Sequence, residues 1–383
     1  MRGIASRVGI GGWVVAALFL FIFLSFLPDR ISAQEKQAVE YKPKVGGYIE
    51  TWYRMDESDL SDQATDAKKV DNEFRVRRAR IDVKGNISEE IGYRVNGNFD
   101  GPSPASGLAS VKLWDGYITY RAYPLMDITI GQFKYPFTLE GLEGTPDRVP
   151  VLRAESINDI AAKLGTQGGS FRDIGAQVSG GYKEALGLKY AVAIINGSGI
   201  NSGDSNHDKD LVGDISIAPL EGLALGVSGF TGKGQGETST FEVKESAYNV
   251  HAEFALKEIG LNLRGEYVSE KLKNWDVAQK KASSGKEQEP NGWYLQAAYR
   301  LAPLPNLQVM ARYEDYERDS NTPDSHLKTT TVGATYYLKG KTRITANYLL
   351  RDVESSSIVT AQETDALGSR IGNLFLVQML VAY

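Results

Sequence analysis

The side chains with the most chemistry to offer are arginines. Between positions 75 and 80 the chain reads Arg75, Val76, Arg77, Arg78, Ala79, Arg80, and a planar guanidinium with its fork of donors suits bidentate contact with carboxylate or phosphate. Arg78, Arg80, Asp82 and Lys84 alternate with Ala79, Ile81 and Val83. That period of two puts the charges on one face of a strand and the apolar residues on the other. Arg75 and Arg77 share the apolar phase but sit at the strand's mouth. After a short turn at residues 86–90, Ile91, Tyr93, Val95 and Phe99 alternate with Arg94, Asn96, Asn98 and Asp100, so the hairpin repeats the division. The pattern fits a soluble sandwich with a solvated outer face or a membrane barrel with a watery interior.

Catalytic chemistry has little to work with. His207, His251 and His326 are far apart and lie in no metal or nucleophile motif. The chain has no cysteine, which removes thiolate chemistry and disulfides. Glycine-rich stretches such as residues 232–236 read as loop, and no cofactor-binding motif is present. Asp204, Asn206, Asp208 and Asp210 place oxygen ligands at alternate positions, like the first half of a calcium loop. Lys209 stands where the turn glycine belongs, so an acidic external loop is the better reading.

The elements that must carry the arginines decide the class. In the first 33 residues, Arg2 and Arg7 precede an apolar run from Trp13 to Leu27, and Ile31, Ser32 and Ala33 resemble a cleavage site. These are the marks of a secretory signal peptide, residues 1–33, with the barrel as residues 34–383. Removing the signal shifts the formal charge from -5 to about -7, which argues against a basic nucleic-acid binder. No later apolar run approaches the roughly 20 residues a membrane helix needs. A membrane crossing would therefore use strands.

Alternation predicts about 16 such strands. In the fourth, Trp114, Ile118 and Tyr120 are expected on the apolar face against Asp115, Tyr117, Thr119 and Arg121. Links at residues 55–71, 101–108, 135–169, 197–206, 232–240, 271–290, 318–326 and 352–371 are long or polar, and those between them are short. All long loops fall at one end, as in an outer-membrane barrel with short periplasmic turns. A Greek-key sandwich would scatter them over both ends. The last strand puts Phe375, Val377, Met379, Val381 and Tyr383 on one face and can pair with the first strand to close the sheet.

Several segments resemble the phosphate-selective porin O and P family. They are Arg77 to Arg80, residues 113–121, Gly131, Gln132, Phe133, Lys134, Tyr135, Pro136 and Phe137, and Phe171, Arg172, Asp173, Ile174, Gly175, Ala176 and Gln177. The resemblance implies a homotrimeric transmembrane antiparallel β-barrel in the bacterial outer membrane, in contact with its lipid, whose third loop folds inward. It also implies that Arg77, Arg78 or Arg80 and Asp115 lie near the constriction. Arg94 on the third strand, with Arg148, Arg153 and Lys163 in the third loop, completes the expected anion-binding set. A passive channel for small hydrophilic solutes, anions such as phosphate among them, follows as the expected function. A barrel enzyme or a surface-binding protein without an open pore is the alternative. The lumen face also carries Asp82, Asp100, Asp173, Asp214, Glu253, Glu266 and Glu314, so its arginines could instead pair with acids and stiffen the wall.

Overall fold

The computed structural model describes residues 41–58, 69–101, 109–123, 125–161, 164, 170–204, 208–235, 242–276, 281–354, 364–365, 368–369 and 372–383. The expected signal peptide, Lys163, Asn206 and His207 lie outside the described residues. The strands are β1 (Lys44–Ser58), β2 (Lys69–Asn86), β3 (Ile91–Asp100), β4 (Ser110–Tyr123), β5 (Met126–Lys134), β6 (Arg172–Tyr182), β7 (Leu188–Ile195) and β8 (Asp210–Leu220). They continue as β9 (Leu223–Gln235), β10 (Glu242–Leu256), β11 (Leu261–Asp276), β12 (Lys281–Gln288 resuming as Asn291–Arg300), β13 (Leu307–Glu317), β14 (His326–Lys339), β15 (Thr342–Val353) and β16 (Asn373–Ala382). Both parts of β12 pair with β11, so the sheet has sixteen staves. Pro290, which has no N–H to give a ladder, stands at the break.

Each strand pairs antiparallel with its chain neighbours, and β1 pairs with β16 from Tyr48↔Ala382 to Glu57↔Asn373. The sheet is therefore a closed barrel with no free edge. Gly47 and Tyr383 exchange both backbone hydrogen bonds at the seam, at 3.2 and 3.1 Å.

Sequence alternation becomes an inside-out wall. Along β10, Val243, Glu245, Ala247, Asn249 and His251 are buried inward, while Tyr248 and Val250 are half exposed on the outer face. The outer face is apolar on most strands, as lipid requires. Some predicted loops are shorter than expected. Residues 271–290 are expected to form one loop, but β11 runs on to Asp276, which pairs with Lys281. Likewise β1 extends to Ser58 and β2 begins at Lys69, inside the predicted 55–71 link.

Two β-bulges correct the expected faces. In the β1–β2 ladder Glu50 pairs with Arg78 and Thr51 with Val76, so Arg77 is the extra residue. In the β3–β4 ladder Asn96 pairs with Asp115 and Gly97 with Leu113, which leaves Trp114 unpaired. A bulge inserts one residue and reverses the parity of all that precede it. Arg75, Arg77 and Trp114, expected on the apolar face, therefore turn inward beside Arg78 and Asp115.

Candidate constriction of the lumen

The third long connection, in its described residues 135–161, 164 and 170–171, does not project outward. These lie inside the barrel as a strap, with one helical turn, α1 (Leu139–Leu142), and one π-helical turn (Ile157–Ala161). Its apolar residues hold it there. Phe137, Ile157, Ile160 and Leu164 are at most 1% exposed and pack on inward Ile195, Val212, Phe230 and Val268. Val151 packs on Trp52, Leu349, Leu374 and Leu376 on the opposite wall. Burial of this kind contributes roughly 1.5–3 kcal/mol per large aliphatic side chain.

Polar wall groups fix the strap's height. Glu266 of β11 accepts the N–H groups of Leu139 at 2.8 Å and Glu140 at 2.7 Å, and the Tyr294 hydroxyl at 2.6 Å. Glu314 of β13 accepts from Glu155 N–H at 2.6 Å, and Asn347 of β15 accepts from Val151 N–H at 2.7 Å. In return, Arg343 donates to the carbonyls of Thr145, Pro146 and Arg148, and Arg264 forks onto Glu143. Apart from the Arg264–Glu143 and Tyr294–Glu266 side-chain bonds, these satisfy strap backbone that would otherwise be orphaned away from water.

Arginines collect where the strap faces β2 to β6, and they fall into two groups. The first is paired with acids. Arg78 Nε is 3.1 Å from the fully buried Glu50, and Arg77 is 3.6 Å from Asp100 with its guanidinium over Trp52. Arg94 bonds Asp82 at 2.7 Å and approaches Asp115, while Arg172 Nε donates to Asp115 at 2.7 Å. Asp115 is 1% exposed and ties β3 to β6 through these two guanidiniums.

The second group meets no carboxylate within ion-pair distance among the described residues. Arg80 donates its Nε to Asn98 at 2.8 Å and lies between Tyr48 and Trp114, 5.5 and 4.1 Å from their ring centroids. Arg148 spends its bonds on the carbonyls of Pro150 and Val151. Arg153 stacks on Phe171 at 4.7 Å and donates to the carbonyls of Glu140 and Glu143. Lys134 donates to the Glu143 carbonyl at 3.0 Å. Burial, then the Arg148 charge beside it, pushes the Arg153 guanidinium down to about 9, so it stays cationic at neutral pH. Arg78 and Arg172 are close enough to add to the same effect.

Of the expected set, Arg77, Arg78, Arg80, Arg94, Asp115, Arg148 and Arg153 gather at this face. Arg172, Lys134 and Trp114 belong there too and were not in that set. For Trp114 the signal was present, because the apolar residues of β4 change parity from Val111 and Leu113 to Ile118 and Tyr120. Elsewhere the acidic loop carries a Lys209–Asp204 ion pair, and Lys233 is 3.8 Å from Asp208.

The chain matches the Gram-negative porin family profile over residues 29–355. No curated protein sequence matches. Among solved structures, an anion-selective porin from Comamonas acidovorans is 12% identical, with a TM-score of 0.64 over 90% of this chain and 100% of that one. OmpF from Salmonella typhi, in complex with daunomycin, is 11% identical, with a TM-score of 0.63 over 90% and 98%. OmpT from Vibrio cholerae, in its trimer form, is 12% identical, with a TM-score of 0.58 over 89% and 99%. At these identities the likeness is one of fold.

Proposed function

The chain belongs to the Gram-negative porin family, and from that premise we propose a passive outer-membrane channel that favours small anions, phosphate among them. Its place in the bacterial outer membrane follows from the family and the barrel. The observation that carries the anion preference is the second group of cations. Arg80 on the wall and Arg148 and Arg153 on the strap meet no carboxylate at ion-pair distance among the described residues, so their charge is left to act on the lumen. A paired arginine offers little net field, whereas an unpaired one replaces part of a solute's hydration as it passes.

The resemblance to the O and P type supports phosphate as one solute, and a homotrimer as the assembly. A channel rather than an enzyme is the reading the family supports. Arg77, Arg78, Arg94 and Asp115 are assigned to holding the wall in register beside the passage, and Lys163 remains part of the proposed set by sequence alone.

The test is planar-bilayer recording of the refolded protein in a potassium chloride gradient. Discrete conductance steps and a zero-current potential on the chloride side are expected. Arg80→Gln and Arg153→Gln should each move that potential toward zero. A closed membrane refutes the channel, and unchanged selectivity in both variants removes these residues from the account.

A further inference from the structure

The outer wall of β9, β10 and β11 carries lysines in register. Lys233 pairs with Lys244, and Lys244 pairs with Lys273, so three ammonium groups lie across neighbouring strands on one rung. Lys271 stands on the next outward rung towards the membrane. These side chains are 42 to 64% exposed, at the end of the barrel that bears the long loops. Like charges directly opposite one another destabilise a sheet, so the row calls for a reason.

Acids compensate it from one side. Glu242 is 3.3 Å from Lys233 and 3.8 Å from Lys244, and Glu287 is 3.6 Å from Lys271 and 3.9 Å from Lys273. Asp208 is 3.8 Å from Lys233, and Glu289 pairs with Lys271. Each of these carboxylates is at least 34% exposed, and exposed ion pairs hold little energy. Towards the bilayer the three strands present no outward acid among the described residues.

In that direction the wall changes rung by rung. Thr231, Ser246 and Lys271 come first, then Gly229, Tyr248 and Ser269, then Val227, Val250 and Tyr267. Gly213 of β8 pairs with Gly229, so two neighbouring strands lack side chains on the Tyr248 rung, and a Cβ at Gly229 would meet nothing within 4 Å. This leaves a furrow in the lipid face, bounded by Tyr248, whose ring centroid is 5.9 Å from that of Tyr267.

We propose that this surface binds a membrane lipid whose headgroup carries phosphate on a sugar. The lysine row meets the phosphate as a set of point charges. Thr231, Ser246 and Ser269 meet the sugar hydroxyls, and an acyl chain fills the furrow over Gly213 and Gly229. Apolar wall, aromatic rings, hydroxyls and cations follow one another as chain, interface, sugar and phosphate do in such a lipid. The site is on the outside of the barrel, so it stands whichever solute the lumen passes.

The test is native mass spectrometry of the refolded barrel in neutral detergent, titrated with an acylated diglucosamine bearing two phosphates, with the same lipid dephosphorylated, and with phosphatidylcholine. The wild type should hold the phosphorylated lipid more tightly than the other two. Lys233→Gln, Lys244→Gln and Lys273→Gln combined should weaken that binding about a hundredfold, roughly fivefold for each lysine near a membrane surface. Lys183→Gln, Lys257→Gln and Lys339→Gln combined, in or beside the short turns at the opposite end, should leave it unchanged. Equal affinity in the row variant and the wild type overturns the proposal. Equal losses in the two combined variants also overturn it, because net charge and not a site would then be at work. If the row variant does not refold, the wild type still decides, since equal retention of phosphorylated and dephosphorylated lipid removes the phosphate contact. Displacement of the lipid by inorganic phosphate at the lipid's own concentration would show that the furrow contributes nothing, and sinks the lipid assignment.

Discussion

Arg78 and Arg80 stand two residues apart on β2, point the same way and do different work. Arg78 compensates Glu50, which is fully buried beneath it and also accepts from Trp52 and Gln378. Removing one partner of such a pair leaves a charge stranded, at a cost of about 3–5 kcal/mol. Arg78→Ala should therefore lower the temperature at which the refolded barrel unfolds on gels, and Glu50→Gln in the same background should restore much of it. Arg80 has no acid to abandon, so Arg80→Gln should leave that temperature close to wild type while reducing anion preference. Equal destabilisation by the two changes would show that the division into paired and unpaired arginines is wrong. In the sequence the arginines themselves were legible, because a run of four in six residues is conspicuous. The Glu50 partner of Arg78 was not, since it comes from β1 and pairing between strands depends on register that no local pattern carries.

At the scale of elements the strap is the piece that makes a constriction out of a wide tube. Glu266 receives two of its backbone N–H groups and the Tyr294 hydroxyl together. Glu266→Ala should loosen the strap without opening the wall, giving larger and noisier single-channel conductance from a barrel that still resists unfolding. Wild-type conductance and noise would mean that the apolar contacts alone hold the strap. On β5, Gly131 has φ +131°, and a Cβ there would lie 2.3 Å from the Gly116 carbonyl oxygen. Gly131→Ala is accordingly expected to cut refolding yield, measured as the fraction of heat-modifiable protein. Strand positions were readable from alternation, and the bulges only from its change of parity. The inner wall under the strap was harder to read. Strand β7 is apolar on both faces, with Ala193 and Ile195 buried against the strap and Val192 and Ile194 directed outward, so the two-residue rhythm disappears where lipid lies on one side and protein on the other.

For the molecule as a whole, sixteen staves and loops long at one end were apparent from the chain, because turn chemistry and a period of two are local properties. The resemblance suggested the inward strap, and packing within the barrel accounts for it. The central claim is that lipid meets the apolar face and water meets the arginines. The chain has no native cysteine, so single cysteines can report on both faces without background. The most direct measurement is the change in bilayer current when a membrane-impermeant, negatively charged thiol reagent is added to Arg80→Cys and Ile81→Cys proteins. The account predicts a prompt fall in current and in chloride preference for Arg80→Cys, with no change for Ile81→Cys. Modification of Ile81→Cys with Arg80→Cys untouched would contradict it.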